Sequence, residues 1–203
     1  MKYQTTLFYS CLVIAISGIF FTACGNRGNT DHARTENTVA DLPQTAGRES
    51  LTLVPGASAG TLKLDEPDSL IRQQLGQPDY SDAAMGKAVL LWYTDSDYGY
   101  PLSIFTTRDM GNDETARIKQ IRVTSPAFKT AESIRVGSAL TEIRNHYQIT
   151  PVETYEKGGK TYSTYKSDEG IAFEVGPGDS CIAIIIHYPD AEVVSYLPLQ
   201  PLD

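Results

Sequence analysis

An apolar run near the N-terminus decides how much of this 203-residue chain is left to fold. Residues 7–23 read LFYSCLVIAISGIFFTA, and Lys2 is the only charged residue before Arg27. A short positive start, an apolar stretch and small residues before a break are typical of an export signal, which is removed from the mature protein. A membrane-spanning anchor is the alternative, but a run of about 17 residues lies at the lower limit for spanning. We therefore predict that residues 1–23 are a signal peptide.

The end of this run, Phe21-Thr22-Ala23-Cys24-Gly25, resembles the lipobox of bacterial lipoproteins, although Phe21 replaces the usual Leu. In that family the Cys becomes the lipidated N-terminus, so the resemblance implies acyl chains such as palmitate on Cys24. More than one acyl chain gives stable membrane anchoring. The resemblance thus implies a lipid-anchored protein of the bacterial cell envelope, at the outer membrane. Ordinary secretion, with Cys24 left as a thiol, is the alternative.

The charge of the chain limits the kinds of partner that it can bind, and its cysteine content limits the disulfide bonds that it can form. The chain has 25 Asp and Glu against 17 Lys and Arg, a net charge of −8. This argues against nucleic acid as a partner, because phosphate binding requires a surplus of basic residues. Cys11 leaves with the signal and Cys24 is modified, so Cys181 remains alone and no intramolecular disulfide is expected. Cys181 opens an apolar run, where a lone Cys packs as a small hydrophobe.

The remainder divides into a tether and two related units. Residues 24–59 hold the lipidated Cys and a polar, Gly- and Asn-rich segment without periodicity, which is typical of a flexible tether. An internal repeat with an offset of 72 residues aligns the apolar positions of residues 62–64 with those of residues 134–136. We therefore predict repeat unit 1 over residues 60–130, and repeat unit 2 with a C-terminal tail over residues 131–203.

Each unit is predicted to begin with a helix and to continue with antiparallel strands. Ser138 is the expected N-cap of the second helix. The inward-facing helix residues are predicted to be Leu70, Ile71 and Leu75 in the first unit and Leu140, Ile143 and Tyr147 in the second. The predicted strands are residues 88–93, 102–107, 117–124, 160–165, 171–175 and 181–188. Because residues 182–186 are apolar on both faces, they are expected to form a central strand. The pattern predicts an α+β fold of two tandem helix-plus-antiparallel-strand units, with the helices packed on one face of the sheet.

Residues 134–147, IRVGSALTEIRNHY, resemble the helix-opening motif of the β-lactamase-inhibitor-protein-like repeat. Similar units occur in the small lipoprotein of the outer-membrane β-barrel assembly machinery. The expected Gly is replaced by Asp65 in unit 1, and the final Gly by Gln148 in unit 2. The resemblance implies a sheet that presents aromatic side chains to another protein. The candidate partner-binding residues are Tyr98, Tyr100, Tyr155 and Tyr162, since tyrosine contributes large contact area at little entropic cost.

Signals for catalysis and metal binding are weak. Residues 56–60, GASAG, fit the G-x-S-x-G pattern, but that nucleophile elbow requires a preceding strand and a helix immediately after it. Two acidic loops, residues 95–99 and 109–114, lack the complete calcium-loop spacing. His146 and His187 lack metal-ligand spacing. No metal, no cofactor and no enzymatic activity are therefore expected.

The sequence favours a cell-envelope lipoprotein that is a non-catalytic protein-interaction module. Its expected contacts are the membrane, through the anchor at Cys24, and another envelope protein. The alternative is an envelope lipoprotein that binds a small molecule or a lipid in an apolar cleft between sheet and helices. An enzyme is the weakest hypothesis, because no nucleophile–base pair or metal set is visible.

Overall fold

A computed structural model describes residues 51–93 and 100–193, and 53% of these residues lie in strands against 11% in helices. Two helices are present in these ranges, and neither is long and apolar enough to cross a membrane. The elements in chain order are β1 (Leu53–Val54), β2 (Ser58–Ala59), β3 (Leu62–Lys63), α1 (Asp68–Leu75), β4 (Tyr80–Ala84), β5 (Lys87–Tyr93), β6 (Pro101–Asp109), β7 (Asp113–Val123), α2 (Leu140–His146), β8 (Thr150–Lys157), β9 (Lys160–Ser167), β10 (Ile171–Gly176) and β11 (Ser180–His187).

The strands form one large and one small antiparallel sheet. The large sheet has eight strands in the order β4-β5-β6-β7-β11-β10-β9-β8. Strands β4 to β7 therefore form one meander and β8 to β11 another, and the two meet where β7 pairs with β11. Strand β11 contains Ile182–Ile186 and lies in the middle of the sheet, which confirms the prediction of a central strand. The small sheet consists of β1, β2 and β3.

The predicted α+β class with tandem helix-plus-strand units is wrong, because the fold is mostly β. The helices are only eight and seven residues long. In α1 the single buried residue is Ile71, whereas Leu70 and Leu75 are exposed, contrary to the prediction. In addition, β4 and β8 occupy segments for which no strand was predicted. A few apolar residues at helical spacing thus specify a helix of about two turns against the sheet, not a helical layer.

The first face of the large sheet is covered by both helices and the small sheet. Here the first face means the side chains of Leu90, Ile104, Ile121, Phe173 and Ile184, which belong to one continuous apolar cluster. Ile71 of α1 and Ile143 of α2 join this cluster, as does Leu53 of β1. This layer is the main hydrophobic core of the protein.

The small sheet combines β1 and β2, from the end of the predicted tether, with β3, from the start of predicted unit 1, and a glycine contact holds it in place. The Gly56 N–H donates a hydrogen bond to the Gly170 carbonyl at 3.0 Å. Gly170 has a positive φ of 89°, and a Cβ at this position would lie 2.5 Å from the Gly56 Cα. Only glycine combines this backbone conformation with such close backbone approach.

The second face carries the alternate residues of the same strands and is chemically mixed. It includes a smaller apolar cluster of Val89, Phe105, Ala172 and Ile185. The segment after β11 turns onto this face, where Val193 packs against that cluster. Strand registry places several buried polar residues on the same face, beside this apolar cluster.

Candidate interaction surface

The β8–β9 hairpin displays two tyrosines as a stacked pair. Tyr155 and Tyr162 lie directly opposite each other in the register of the two strands. Their ring centroids are 5.2 Å apart and the rings are 10° from parallel. The turn between the strands has positive φ values of 58° at Gly158 and 70° at Gly159, a conformation that suits the right-handed twist of a tight hairpin. The turn therefore fixes the registry that brings the rings together.

Tyr162 of the stacked pair lies beside a position that has no side chain. Gly176 ends β10, and a Cβ built there would lie 3.6 Å from Cε1 of Tyr162 and 2.9 Å from Cγ2 of Ile182. Glycine at this position thus makes room for the Ile182 side chain, whereas the distance to Tyr162 is an ordinary van der Waals contact. Both tyrosines remain half-buried, so part of each ring faces solvent. Such an arrangement presents preordered aromatic area, as protein interfaces use.

A buried ion pair lies on the second face next to the Tyr155–Tyr162 pair. Arg122 of β7 donates from Nε to Oε1 of Glu174 at 3.0 Å, and from Nη2 to Oε2 at 2.6 Å. The two residues reach each other across β11, which lies between their strands. Ala183 of β11 stands directly opposite Glu174, and its small side chain leaves the path open. This bidentate geometry satisfies charges that are costly to bury.

The ion pair and the tyrosines are electrostatically connected. Burial is the largest cause that raises the pKa of Tyr155, and the negative charge of Glu174 raises it further. The positive charge of Arg122 acts in the opposite direction. Tyr155 is therefore a neutral hydrogen-bonding phenol at physiological pH, and it sits at the exposed margin of a buried polar network.

Further polar groups continue the second face beyond the ion pair. Gln120 of β7 lies opposite His187 of β11, and its amide donates to the carbonyl of Glu192 at 3.1 Å. His187 Nδ1 lies 2.6 Å from the carbonyl of Tyr188, which assigns the ring proton to Nδ1. Burial lowers the pKa of His187, so the imidazole is neutral. Ser103 is also buried on this face, opposite Arg122.

A groove in the surface lies at the β4 end of the same face. This opening, called the β4 groove below, has a volume of about 320 Å³. Its lining combines apolar side chains with one acid and one base: Asp82, Ala84, Met85, Lys87, Ala88, Val89 and Phe105. Met85 at the rim is 88% exposed. The groove borders β4, the terminal strand of the sheet.

The predicted partner-binding tyrosines are only partly brought together. Tyr155 and Tyr162 form the stacked pair, whereas Tyr100 lies half-buried just before β6, and three strands separate β6 from β9. Tyr98 and the predicted lipidation site Cys24 fall outside the described residues. Arg122 and Glu174 were not predicted as site residues. Their signal in the sequence is a charged residue between two apolar residues, in Ile121-Arg122-Val123 and Phe173-Glu174-Val175.

The weak catalytic and metal signals lie in ordinary structural settings. Ser58 belongs to the two-residue strand β2 and is followed by a turn to β3, not by a helix. Cys181 is buried in the main core, as predicted, and burial raises its pKa to about 12. In the acidic loop after β6, Asp109 accepts a hydrogen bond from Asn112. Within residues 51–93 and 100–193, no group of three or more potential ligands is arranged to hold a metal ion.

Comparison with known proteins does not assign a family. The sequence matches no protein-family model and no curated protein. One structural similarity is to an extracellular protein containing a SCP domain from Bacillus anthracis str. Ames, whose crystal structure was determined at 1.5 Å resolution. The two chains are 8% identical with a TM-score of 0.40, and the match covers 62% of this chain and 44% of the other.

Proposed function

We propose that this protein is a lipid-anchored lipoprotein of the bacterial cell envelope that acts as a non-catalytic protein-interaction module. The sequence supports the anchor, through the apolar run of residues 7–23 and the lipobox-like residues that end at Cys24. Acylation of Cys24 would hold the protein at the outer membrane. The resemblance of residues 134–147 to inhibitor-type repeats remains a prediction and points to the same kind of role.

The stacked Tyr155–Tyr162 pair is the observation that supports an interaction role for the folded domain. The rings are held by a tight hairpin and by stacking on each other, so little side-chain entropy remains to be lost on binding. Both rings are half-exposed at the margin of a face with a buried ion pair. Aromatic residues held rigidly in this way are the usual anchors of protein interfaces.

The interaction role can be tested by capture from membranes. The full-length protein and a Tyr155→Ala/Tyr162→Ala variant would be crosslinked in cells, solubilised and purified. We expect the double variant to retain less than about one-tenth of a stoichiometric protein partner, because interface anchors typically contribute about 2 kcal/mol or more. Tyr93→Ala, which removes an exposed tyrosine from β5, is the matched control. Equal recovery of the partner with all three proteins would refute the role of the pair.

The anchor can be tested separately from the interaction. Cys24→Ser removes the only thiol of the lipobox-like segment, and Cys11→Ser is the control within the signal peptide. We expect Cys24→Ser to release the protein from the membrane fraction and to abolish labelling by a palmitate analogue. Unchanged membrane association of Cys24→Ser would show that the lipoprotein assignment is wrong.

A further inference from the structure

The two terminal strands of the large sheet differ in how well they are protected against pairing with another chain. Strand β8 contains Pro151, and its register with β9 shifts between Pro151 and Glu153. Proline and irregular register are the usual means by which proteins block an exposed edge. Strand β4 has neither: all five of its residues pair with β5 in one continuous register.

The outer edge of β4 is also accessible. Four of its five residues are exposed, and no other described strand lies beyond it. Its sequence, Tyr-Ser-Asp-Ala-Ala, contains no lysine and no proline. The small side chains of residues 81, 83 and 84 would allow another backbone to approach. Such an edge is a template for the addition of one more strand.

The β4 groove supplies a place for a side chain of the added strand. Asp82, Val89 and Phe105 lie in one row across β4, β5 and β6 on the second face. Val89 and Phe105 provide an apolar floor, and Ala84 and Met85 line the groove beside it. A volume of about 320 Å³ accommodates one large aliphatic or aromatic side chain. Methionine at the rim adapts to different shapes.

Charge indicates the chemistry of the occupant. Asp82 is exposed on the edge strand itself, and none of the ion pairs among the described residues includes it. Lys87 lies one strand further in and would not directly oppose an added strand. The chain as a whole carries a net charge of −8. A second copy paired about Asp82 would place two carboxylates opposite each other, which is unfavourable.

We propose that the outer edge of β4 binds an extended, basic segment of a partner protein as an additional strand, with one apolar side chain in the β4 groove. This inference rests on the proposed interaction function and names the kind of segment that the partner contributes. Backbone hydrogen bonds along β4 would provide affinity. Asp82 and the groove would select a basic residue and an apolar residue on the same face of the segment.

The test uses the full-length protein in detergent and, as the probe, a lysine–leucine peptide of repeated Lys-Thr-Leu-Thr, in which lysine and leucine lie on the same face of a strand. The glutamate–leucine peptide has glutamate in place of each lysine. Amide hydrogen exchange of residues 80–84 is measured with and without the peptide. We expect at least tenfold slower exchange in β4, with β8 unchanged. Asp82→Lys should weaken this protection at least tenfold, whereas Asp168→Lys, the same charge change in an exposed turn, should not. A peptide with proline at its centre and a glutamate–leucine peptide should both fail to protect β4.

Two kinds of result would overturn the inference. One is unchanged exchange in β4 at saturating lysine–leucine peptide. The other is protection that survives Asp82→Lys or that occurs equally with the glutamate–leucine peptide. The Tyr155→Ala/Tyr162→Ala variant should keep its β4 protection, so failure at β4 is distinguishable from failure of the tyrosine-based interaction.

Discussion

The two faces of the eight-stranded sheet are built from alternate residues of the same strands, yet they follow different chemical rules. The first face is a continuous apolar cluster covered by α1, α2 and the small sheet. The second face combines a small apolar cluster with the Arg122–Glu174 pair, Gln120 and His187. Burial of apolar surface stabilises a fold directly, whereas buried charges at best offset their own desolvation. The first face therefore explains why the protein folds, whereas the second face contains buried polar groups that the stability of the fold does not require.

The largest expected effect tests whether the ion pair is needed for stability. Glu174→Ala leaves the Arg122 guanidinium buried and unpaired, so we expect a loss of about 3–5 kcal/mol in the free energy of unfolding. Replacing both residues, as Arg122→Met/Glu174→Leu, should recover most of that loss. Urea unfolding followed by the fluorescence of Trp92 measures both. A double variant as unstable as Glu174→Ala would contradict the distinction between the faces.

The next prediction compares two neighbouring residues of α1 and tests whether contact with the first face stabilises the fold. Ile71 is buried in the main cluster, and Leu70 beside it is 40% exposed. Ile71→Ala should lower the free energy of unfolding by about 2–5 kcal/mol, because it leaves a cavity. Leu70→Ala should change it by less than about 0.5 kcal/mol. Similar losses in the two variants, measured by the same urea unfolding, would show that α1 packs differently.

The smallest effect is a pH dependence from the second face. Burial lowers the pKa of His187 in the folded protein below its value in the unfolded chain, which is about 6.5. The unfolded state then binds more protons, so stability is full above that pH and is lost as the pH falls through the folded pKa. We expect the urea concentration at the midpoint of unfolding to decrease as the pH is lowered from 7 to 5. His187→Asn keeps a donor for the Tyr188 carbonyl and should reduce this pH dependence of the urea midpoint. An unchanged pH dependence would show that other groups cause it.

Sequence patterns identified the strands that have a buried side. Six strands were predicted close to their observed positions, and in β5 and β11 the signal is a continuous run of apolar residues. The stripe of Leu140, Ile143 and Tyr147 is buried as predicted. Both terminal strands were missed. Nearly all residues of β4 and β8 are exposed. These strands are held by backbone hydrogen bonds to a neighbouring strand, so their sequences carry no hydrophobic pattern that would predict them.

Features that depend on long-range pairing escaped prediction. Arg122 and Glu174 are 52 residues apart, and only the position of β11 between their strands brings them together. Local capping was also misjudged: Ala139 occupies the N-cap of α2, and the Ser138 hydroxyl instead accepts a hydrogen bond from the Arg135 N–H. In contrast, Tyr155 and Tyr162, which were predicted as partner-binding residues, meet across a local turn, because a short hairpin fixes its own register. Their role in partner binding stays a prediction.

The pairing of β7 with β11 has a consequence for the order of assembly. Every other neighbouring pair in the large sheet is a hairpin between consecutive strands. In contrast, β7 and β11 bring together Val123 and Ile184, about sixty positions apart in the chain, and they pair through only four residue pairs. Closing a long loop costs more entropy than closing a short one. The hairpins are thus expected to form early and the β7–β11 pairing last, so this pairing is expected to be the last part of the large sheet to become ordered.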